Sequence, residues 1–167
     1  MYRVVGQDHA YRKGNLTSLA GGITYATNKN RTNAALSLKI GMIDSLDPKA
    51  KPEPPFFAYL ETPHGTTGRG KFVQVDGEPG FRLFIYQLDG DILKVYEDIL
   101  NGAPVTIGFN RRKSGLDVLV PLDLRVAETT VSADGSFERR RSGEMLDQFA
   151  VCTLEVTKQV QKQLEGK

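Results

Sequence analysis

The residues from Leu116 to Val126 alternate between apolar and other side chains, and this two-residue period constrains the fold more than any other feature. Successive side chains of an extended strand point to opposite faces. One face therefore carries Leu116, Val118, Val120, Leu122, Leu124 and Val126. The other face carries Asp117, Leu119, Pro121, Asp123 and Arg125. A strand with one packed and one solvated face is typical of an antiparallel sheet.

Strand patterns recur along the first half of the chain, separated by turn-forming residues. The apolar residues Leu36, Leu38, Ile40 and Met42 alternate with small or polar ones, which predicts a second one-faced strand. Four prolines between Asp47 and Pro55 predict an extended surface connection, because proline cannot donate to a sheet ladder. The asparagine-rich stretch 27–33 predicts a loop. Further strands are expected at 16–27, 56–61, 71–75, 81–88, 105–109 and 137–141.

Two segments follow the helical period instead. Between residues 91 and 101 apolar side chains recur every three or four positions, with Asp89 or Asp91 as N-cap and Gly102 as the stop. Residues 143–164 predict a longer helix that Ser142 caps. Its apolar stripe is expected to contain Met145, Phe149, Cys152, Val156 and Val160. Cys152 would then be a buried and unreactive thiol.

Together these patterns predict one α+β domain over residues 1–167. Its core is a mainly antiparallel β-sandwich or curled sheet of about eight strands, with the short and the long helix packed at its face or edge. A chain of 167 residues is long enough to bury such a core without metals or disulfides. The single cysteine also excludes a disulfide within the chain.

The charge balance and the hydropathy of the chain indicate which partners are not expected. Lysine and arginine number 22 against 20 acidic residues, so no strong field favours nucleic acid, and we expect no nucleic-acid partner. The sequence contains no apolar run of about 20 residues, so we expect a soluble protein without membrane insertion.

The start of the chain bears on its location. Met1 is followed directly by strand-like residues without a signal peptide. This fits either a complete cytosolic protein or a mature domain whose leader was replaced by a start Met, and the second interpretation is favoured. The order of the C-terminal elements, which ends in a basic hairpin and a helix with one cysteine, resembles that of small exported β-rich bacterial proteins. A periplasmic or exported location is therefore expected, although no residue motif carries a function over from such proteins.

One segment matches a nucleotide-binding pattern without its context. Residues 65–71 read Gly-Thr-Thr-Gly-Arg-Gly-Lys, which satisfies G-x-x-x-x-G-K. A phosphate-binding loop also needs a hydroxyl residue after the lysine and a helix that follows. Here Phe72 follows Lys71 in a strand-like run, so we interpret the segment as a glycine-rich hairpin loop.

Residues for metal binding or catalysis are few. The only histidines are His9 and His64, and no histidine or cysteine pair has metal-ligand spacing, so neither a metal nor a cofactor is expected. Asp117 and Asp123 lie about 20 Å apart along an extended strand, which is too far for a glycosidase pair. A metal site of His64 completed by Glu61 and Asp76 is the weaker alternative to a solvated loop histidine. A hydrolase that uses His64 with nearby acids remains the weakest functional alternative.

The leading hypothesis is a non-enzymatic binding protein that engages a protein partner through loops of a β-rich scaffold. Its candidate contact residues are His64, Arg69, Arg111, Arg112 and Lys113. A second basic run, residues 139–141, is expected on a separate solvated face. The alternative is a module that holds a small lipid or carbohydrate ligand between sheet and helix. Its cavity would be lined by the aromatic residues Phe56, Phe57, Tyr59, Phe81, Phe84 and Tyr86.

Overall fold

The computed structural model describes residues 2–12, 15–27, 33–44, 47, 49–124 and 126–165. These residues form eleven strands and two helices, and every strand pair is antiparallel. The strands divide into a five-stranded sheet, a four-stranded sheet and a two-stranded ribbon. Positions 28–32 of the predicted asparagine-rich loop, Arg125, and the side chains of Val126 and Val160 lie outside the described residues.

The five-stranded sheet has the order β1-β2-β3-β7-β6. Its strands are β1 (Tyr2–Arg12), β2 (Asn15–Thr27), β3 (Ala34–Ile43), β6 (Lys71–Gln74) and β7 (Arg82–Gln87). The predicted alternation of β3 is confirmed, because Leu36, Leu38, Ile40 and Met42 are all buried on one face. That face continues on β7 through Phe84 and Tyr86, which pair with Leu38 and Leu36.

The four-stranded sheet has the order β5-β4-β8-β9. Its strands are β4 (Phe57–Thr62), β5 (Gly65–Thr66), β8 (Val105–Asn110) and β9 (Val118–Leu122). Pro121 of the edge strand β9 lies opposite Thr106 of β8. An edge strand tolerates proline because one side of its ladder is unpaired. Strand β1 of the other sheet runs beside β9, so the two sheets approach one another at this side.

The two-stranded ribbon consists of β10 (Val126–Val131) and β11 (Phe137–Ser142). It pairs from Val126 opposite Ser142 to Val131 opposite Phe137. In the described part of the chain it forms a sheet of its own and does not pair with a strand of the two larger sheets. At its base, Arg141 Nε lies 3.7 Å from Asp123 Oδ2.

Both helices begin at the predicted kind of cap. Helix α1 (Gly90–Leu100) starts at Asp89, whose side chain accepts a hydrogen bond from the Ile92 amide, and Gly102 with φ +70° follows its end. Helix α2 (Glu144–Glu165) follows Ser142, whose hydroxyl accepts from the Glu144 amide at 3.2 Å. Among the described residues, no helix is long and apolar enough to cross a membrane.

The core lies between the two larger sheets and under α1. Its largest fully buried side chains include Phe84, Phe109, Leu60 and Ile107. The Tyr86 hydroxyl crosses between the sheets and donates to the Ala58 carbonyl oxygen of β4 at 2.8 Å. Burial of the phenol requires such a partner, because an unsatisfied buried hydroxyl costs about 1–3 kcal/mol.

The α+β class, with a sandwich-like or curled antiparallel sheet and two helices, is confirmed. The strands exceed the expected eight for three reasons. The strand-like residues after Met1 belong to a full strand, β1; β5 was not predicted; and residues 116–126 contribute to two strands, β9 and β10, rather than to one. Val120, Leu122 and Leu124 are buried as predicted. Leu116 was wrongly placed on the packed face: it precedes β9 in a turn and is 94% exposed.

The predicted apolar stripe of α2 is right at Phe149, which is buried, and wrong at Met145 and Cys152, which are exposed. Val156 is partly buried, and Leu146 and Thr153 are buried although the prediction did not include them. The Thr153 hydroxyl donates to the Phe149 carbonyl oxygen at 3.0 Å, which satisfies the hydroxyl and lets this residue enter the core. The Thr157 hydroxyl lies 2.9 Å from the Tyr25 hydroxyl, and Tyr25 stacks on Tyr96 of α1. These contacts orient α2 with Cys152 outside.

Two neighbouring residues of β9 test the assignment of its faces. Val120 is fully buried and Leu119 is 52% exposed on the opposite face. We expect Val120→Asp to lower the free energy of unfolding by about 3 kcal/mol or more, because it buries a charge without a partner. Leu119→Asp should cost about 1 kcal/mol or less. Urea unfolding measures both, and equal midpoints would contradict the assignment.

The position of Cys152 predicts its reactivity. A thiol on the exposed side of α2 should react in the native protein at a rate within about tenfold of its rate in denaturant. The measurement is labelling by a chromogenic disulfide reagent at neutral pH with and without urea. Native labelling that is slower by several orders of magnitude would place the thiol in the core instead.

Candidate functional site

The glycine-rich segment 65–71 connects the two larger sheets and is not a hairpin loop, which corrects the sequence interpretation. It leaves β5 in the four-stranded sheet and enters β6 of the five-stranded sheet at Lys71. A strand therefore follows the lysine where a phosphate-binding loop needs a helix. Gly70 is required for close packing, because a side chain there would overlap the Tyr86 ring.

Thr67 fixes this connection, the crossing loop (residues 67–70), against β4. Its amide donates to the Leu60 carbonyl oxygen at 2.9 Å, and its hydroxyl accepts from the Leu60 amide at 2.9 Å. Thr67 thus continues the ladder of β4 for one residue through both main-chain and side-chain atoms. Because Thr67 is buried and bonded in this way, the crossing loop is anchored to β4 at its first residue.

A cleft of about 550 Å³ lies between the crossing loop and the outer face of the four-stranded sheet. Its size is within the range of roughly 300–1,000 Å³ for small-molecule sites. The cleft is lined by Tyr59, Glu61, Thr62, Gly65, Thr66, Gly68, Arg69 and Asp117.

Tyr59 forms the aromatic part of the cleft. It pairs with Gly108 of β8, and a side chain on Gly108 would overlap the Tyr59 ring. The missing side chain therefore lets the ring lie across β8. The Tyr59 hydroxyl then reaches Asp117 and donates to its Oδ2 at 3.0 Å. A ring held at both ends presents a fixed surface.

Asp117 is the centre of the polar contacts around this ring. Besides the Tyr59 hydroxyl, it accepts from Asn110 Nδ2 at 3.3 Å, and Arg69 Nη2 lies 4.0 Å from its Oδ1. The Arg69 guanidinium also stacks over Phe57, with 3.8 Å between its carbon and the ring centroid. Phe57 and Asp117 therefore hold the cation of the crossing loop over the sheet.

Glu61 supplies a second carboxylate. It is exposed, and in the described part of the chain it forms no hydrogen bond or ion pair through its side chain. Burial, followed by the hydrogen bond to Asp117, raises the pKa of Tyr59. The phenol therefore stays protonated and donates at neutral pH. The cleft thus combines a neutral aromatic donor, a partly neutralised Asp–Arg pair and an exposed carboxylate.

Beside the cleft, Asn110 organises the turn of residues 111–116. This buried side chain accepts from the Arg112 amide at 3.0 Å and donates to the Leu116 carbonyl oxygen at 3.1 Å. The same amide group contacts Asp117, so one buried residue fixes both the turn and the cleft. The turn presents Arg112, Lys113 and Leu116 to solvent.

His64 lies at the other end of segment 65–71, against α1. Its amide donates to Asp98 Oδ2 at 3.1 Å, and its Nδ1 lies 2.7 Å from Asp98 Oδ1. A carboxylate only accepts, so Nδ1 is the donor in this contact. The acid beside His64 is therefore Asp98, not Glu61 or Asp76. Asp98 is buried on α1 and ties the β4–β5 turn to the helix.

The five residues proposed from the sequence fall into several places. Arg69 lies on the cleft, Arg112 and Lys113 on the adjacent turn, and His64 at the α1 junction. Arg111 points elsewhere: its Nη2 lies 2.6 Å from Asp44 and its Nη1 3.9 Å from Glu53. Arg111 thus joins the end of β8 to the connection that follows β3.

Sequence reasoning did not bring together the residues that build the site. Asn110 and Gly108 were not proposed as site residues, whereas Tyr59, Glu61 and Asp117 were each interpreted in another context. Tyr59 was assigned to a cavity between sheet and helix, but of the aromatic residues proposed there Phe84 and Tyr86 fill the core, and Phe57 is buried beneath Arg69. Gly108 within an otherwise apolar strand was an available signal, since a strand glycine often marks a close approach.

Within the described residues no group of three or more His, Cys, Asp or Glu side chains is arranged to hold a metal ion. Comparison with protein-family models, with curated proteins and with solved structures finds no match to this chain. Function is therefore inferred from the geometry of the cleft and of the adjacent turn.

The Asp98–His64 contact predicts a pH dependence of stability. Hydrogen bonds from Thr62 and then from His64 hold the pKa of Asp98 below its ordinary value. The Thr62 hydroxyl can alternatively donate to the Gly65 carbonyl oxygen at 3.2 Å. A lowered folded-state pKa stabilises the fold above the unfolded-state pKa of about 3.9, and this contribution is lost as the pH falls through the folded-state value.

Asp98→Asn should therefore lower the urea midpoint at pH 7, and the difference from wild type should shrink towards about pH 2. Glu97→Gln removes the same charge from a neighbouring exposed position and should change the midpoint little. If the wild type and the Asp98→Asn variant differ by the same amount from about pH 7 to about pH 2, ionised Asp98 does not stabilise the fold.

Proposed function

We propose that this protein is a non-enzymatic binding protein whose partner is another protein, engaged through the turn 111–116 and the crossing loop. The observation that carries the proposal is Leu116, which is 94% exposed although the turn that presents it is fixed by buried Asn110. A large apolar side chain held rigidly in solvent can enter a partner's pocket with little further loss of conformational entropy.

The surroundings of Leu116 favour a partner with an acidic rim around an apolar pocket. Arg112 and Lys113 are exposed beside it in the same turn. Arg69 reaches the neighbouring Asp117 from the crossing loop. Charges at the rim of an interface mainly raise the association rate and set specificity, while the desolvated centre supplies most of the affinity. Leu116 would be that centre.

His64 and Arg111 have smaller parts in this proposal. His64 is 74% exposed in its side chain but is held by Asp98 at the α1 junction. Arg111 is engaged with Asp44 inside the molecule. We therefore assign the contact to Arg69, Arg112, Lys113 and Leu116.

Small-ligand binding is the second candidate, and the cleft beside Tyr59 favours it. The charged and hydroxyl groups of that cleft support a polar ligand such as a carbohydrate better than a lipid. For the hydrolase alternative, the described contacts of His64 include Asp98 but no nucleophile. A periplasmic or exported location in a bacterium remains part of the proposal.

The test is affinity capture from an extract of the source organism with wild-type protein and with Leu116→Ser. We expect a protein recovered in stoichiometric amount with the wild type, and capture of that protein reduced about tenfold by Leu116→Ser. Once the partner is identified, calorimetric titration of the purified pair quantifies the loss.

Two further variants make the result specific. Val131→Ser removes another exposed apolar side chain, at the tip of the ribbon, and should leave capture unchanged. Arg112→Glu with Lys113→Glu should slow association and reduce its dependence on salt. Capture that is identical for the wild type and Leu116→Ser, or no stoichiometric protein, would contradict the proposal.

A further inference from the structure

We infer that the cleft beside Tyr59 is a binding site for a neutral saccharide, with the Tyr59 ring as the surface on which the sugar packs. The inference goes beyond the protein-binding proposal and does not rest on it, because its main residues, Tyr59 and Glu61, have no part in the proposed protein contact; the two sites share only Arg69. Two features of the cleft support it: the Tyr59 ring is fixed, and polar groups lie beside the ring. The charges of these polar groups also disfavour the other common classes of ligand.

The Tyr59 ring is fixed before any ligand arrives. It lies over Gly108, where a side chain would displace it, and its hydroxyl donates to Asp117 at 3.0 Å. The face of an aromatic ring carries the negative part of its quadrupole, which attracts the slightly positive C–H bonds of a sugar ring. A ring without rotational freedom loses little entropy when a ligand packs on it.

A hydrogen-bond acceptor, Glu61, and a hydrogen-bond donor, Arg69, both lie beside this ring. Glu61 offers acceptor oxygens without a partner among the residues that the structure describes. Arg69 offers N–H donors, since its guanidinium is held by stacking on Phe57 and by a long contact of 4.0 Å to the Asp117 carboxylate. A carboxylate accepts and a guanidinium donates, so the ligand must do both.

This combination excludes other common ligands. An ammonium group would satisfy Glu61 but meet the Arg69 cation, and an anionic ligand would meet the Glu61 carboxylate. A lipid chain would desolvate both charges without replacing their hydrogen bonds. Hydroxyl groups donate and accept, so a neutral polyhydroxylated ring matches Glu61, Arg69 and the Tyr59 face together.

The experiment is binding of the fluorescently labelled protein to a microarray of neutral and anionic oligosaccharides, followed by calorimetric titration with the strongest glycan. We expect binding to neutral glycans and at least about tenfold weaker binding by Tyr59→Ala and Glu61→Gln. Tyr59→Phe keeps the ring and should keep most of the affinity.

Matched controls separate this inference from loss of folding and from the proposed protein contact. Glu97→Gln removes an equal charge on α1, and Leu116→Ser removes the proposed protein contact; both should bind glycans like the wild type. Glu61 is exposed, so Glu61→Gln tests the site even if Tyr59→Ala proves unstable in urea.

Three results would overturn the inference: no glycan bound by the wild type, only anionic glycans bound, or unchanged affinity in Glu61→Gln. Each of them leaves the capture experiment with Leu116→Ser unaffected, so failure of the saccharide site and failure of the protein-binding proposal are distinguishable.

Discussion

Burial of the two inner sheet faces against each other is the interaction on which the rest of the molecule depends. Phe84 and Leu38 of one sheet and Leu60 and Phe109 of the other are fully buried, each with a relative exposure of 0%. At roughly 25 cal/mol per Å² of apolar area, such side chains contribute about 1.5–3 kcal/mol each. Because these faces are occupied, polar side chains at the alternate strand positions are displayed on the outside.

On the outer surface of the four-stranded sheet, these outward side chains form the cleft. Strand alternation places Tyr59 and Glu61 outwards on β4, opposite Gly108 and Thr106 of β8. Asn110, at the end of β8, then connects Asp117 to the turn that carries Leu116. The cleft and the exposed turn are therefore held by a single hydrogen-bond network. A substitution of Asn110 would alter the structure of both.

Features set by local patterns could be predicted from the sequence. The buried stripe of β3, the Asp89 cap and Gly102 stop of α1, and burial of Val120, Leu122 and Leu124 all follow from periodicity or turn chemistry. The orientation of α2 could not, since Thr153 counts as polar in the sequence although its hydroxyl is satisfied within the helix.

The candidate site depended on contacts that sequence spacing does not encode. Tyr59 and Asp117 are 58 residues apart, and His64 and Asp98 are 34 apart, so tertiary folding alone brings each pair together. Asp117 was correctly placed on the outer side of its segment, but nothing in the sequence indicated which strand would contribute its donor.

The ribbon of β10 and β11 has a consequence for the covalent integrity of the molecule. Two-stranded hairpins are marginal on their own, and its terminal pair, Val131 and Phe137, is exposed. Local opening near the 132–136 tip therefore costs little compared with global unfolding, which makes the tip a site of proteolytic nicking. A nicked chain would retain α2 through contacts such as those of Leu146, Phe149 and the Thr157–Tyr25 pair. The two fragments would then behave as a noncovalent complex, held by the surface that docks α2 in the intact protein.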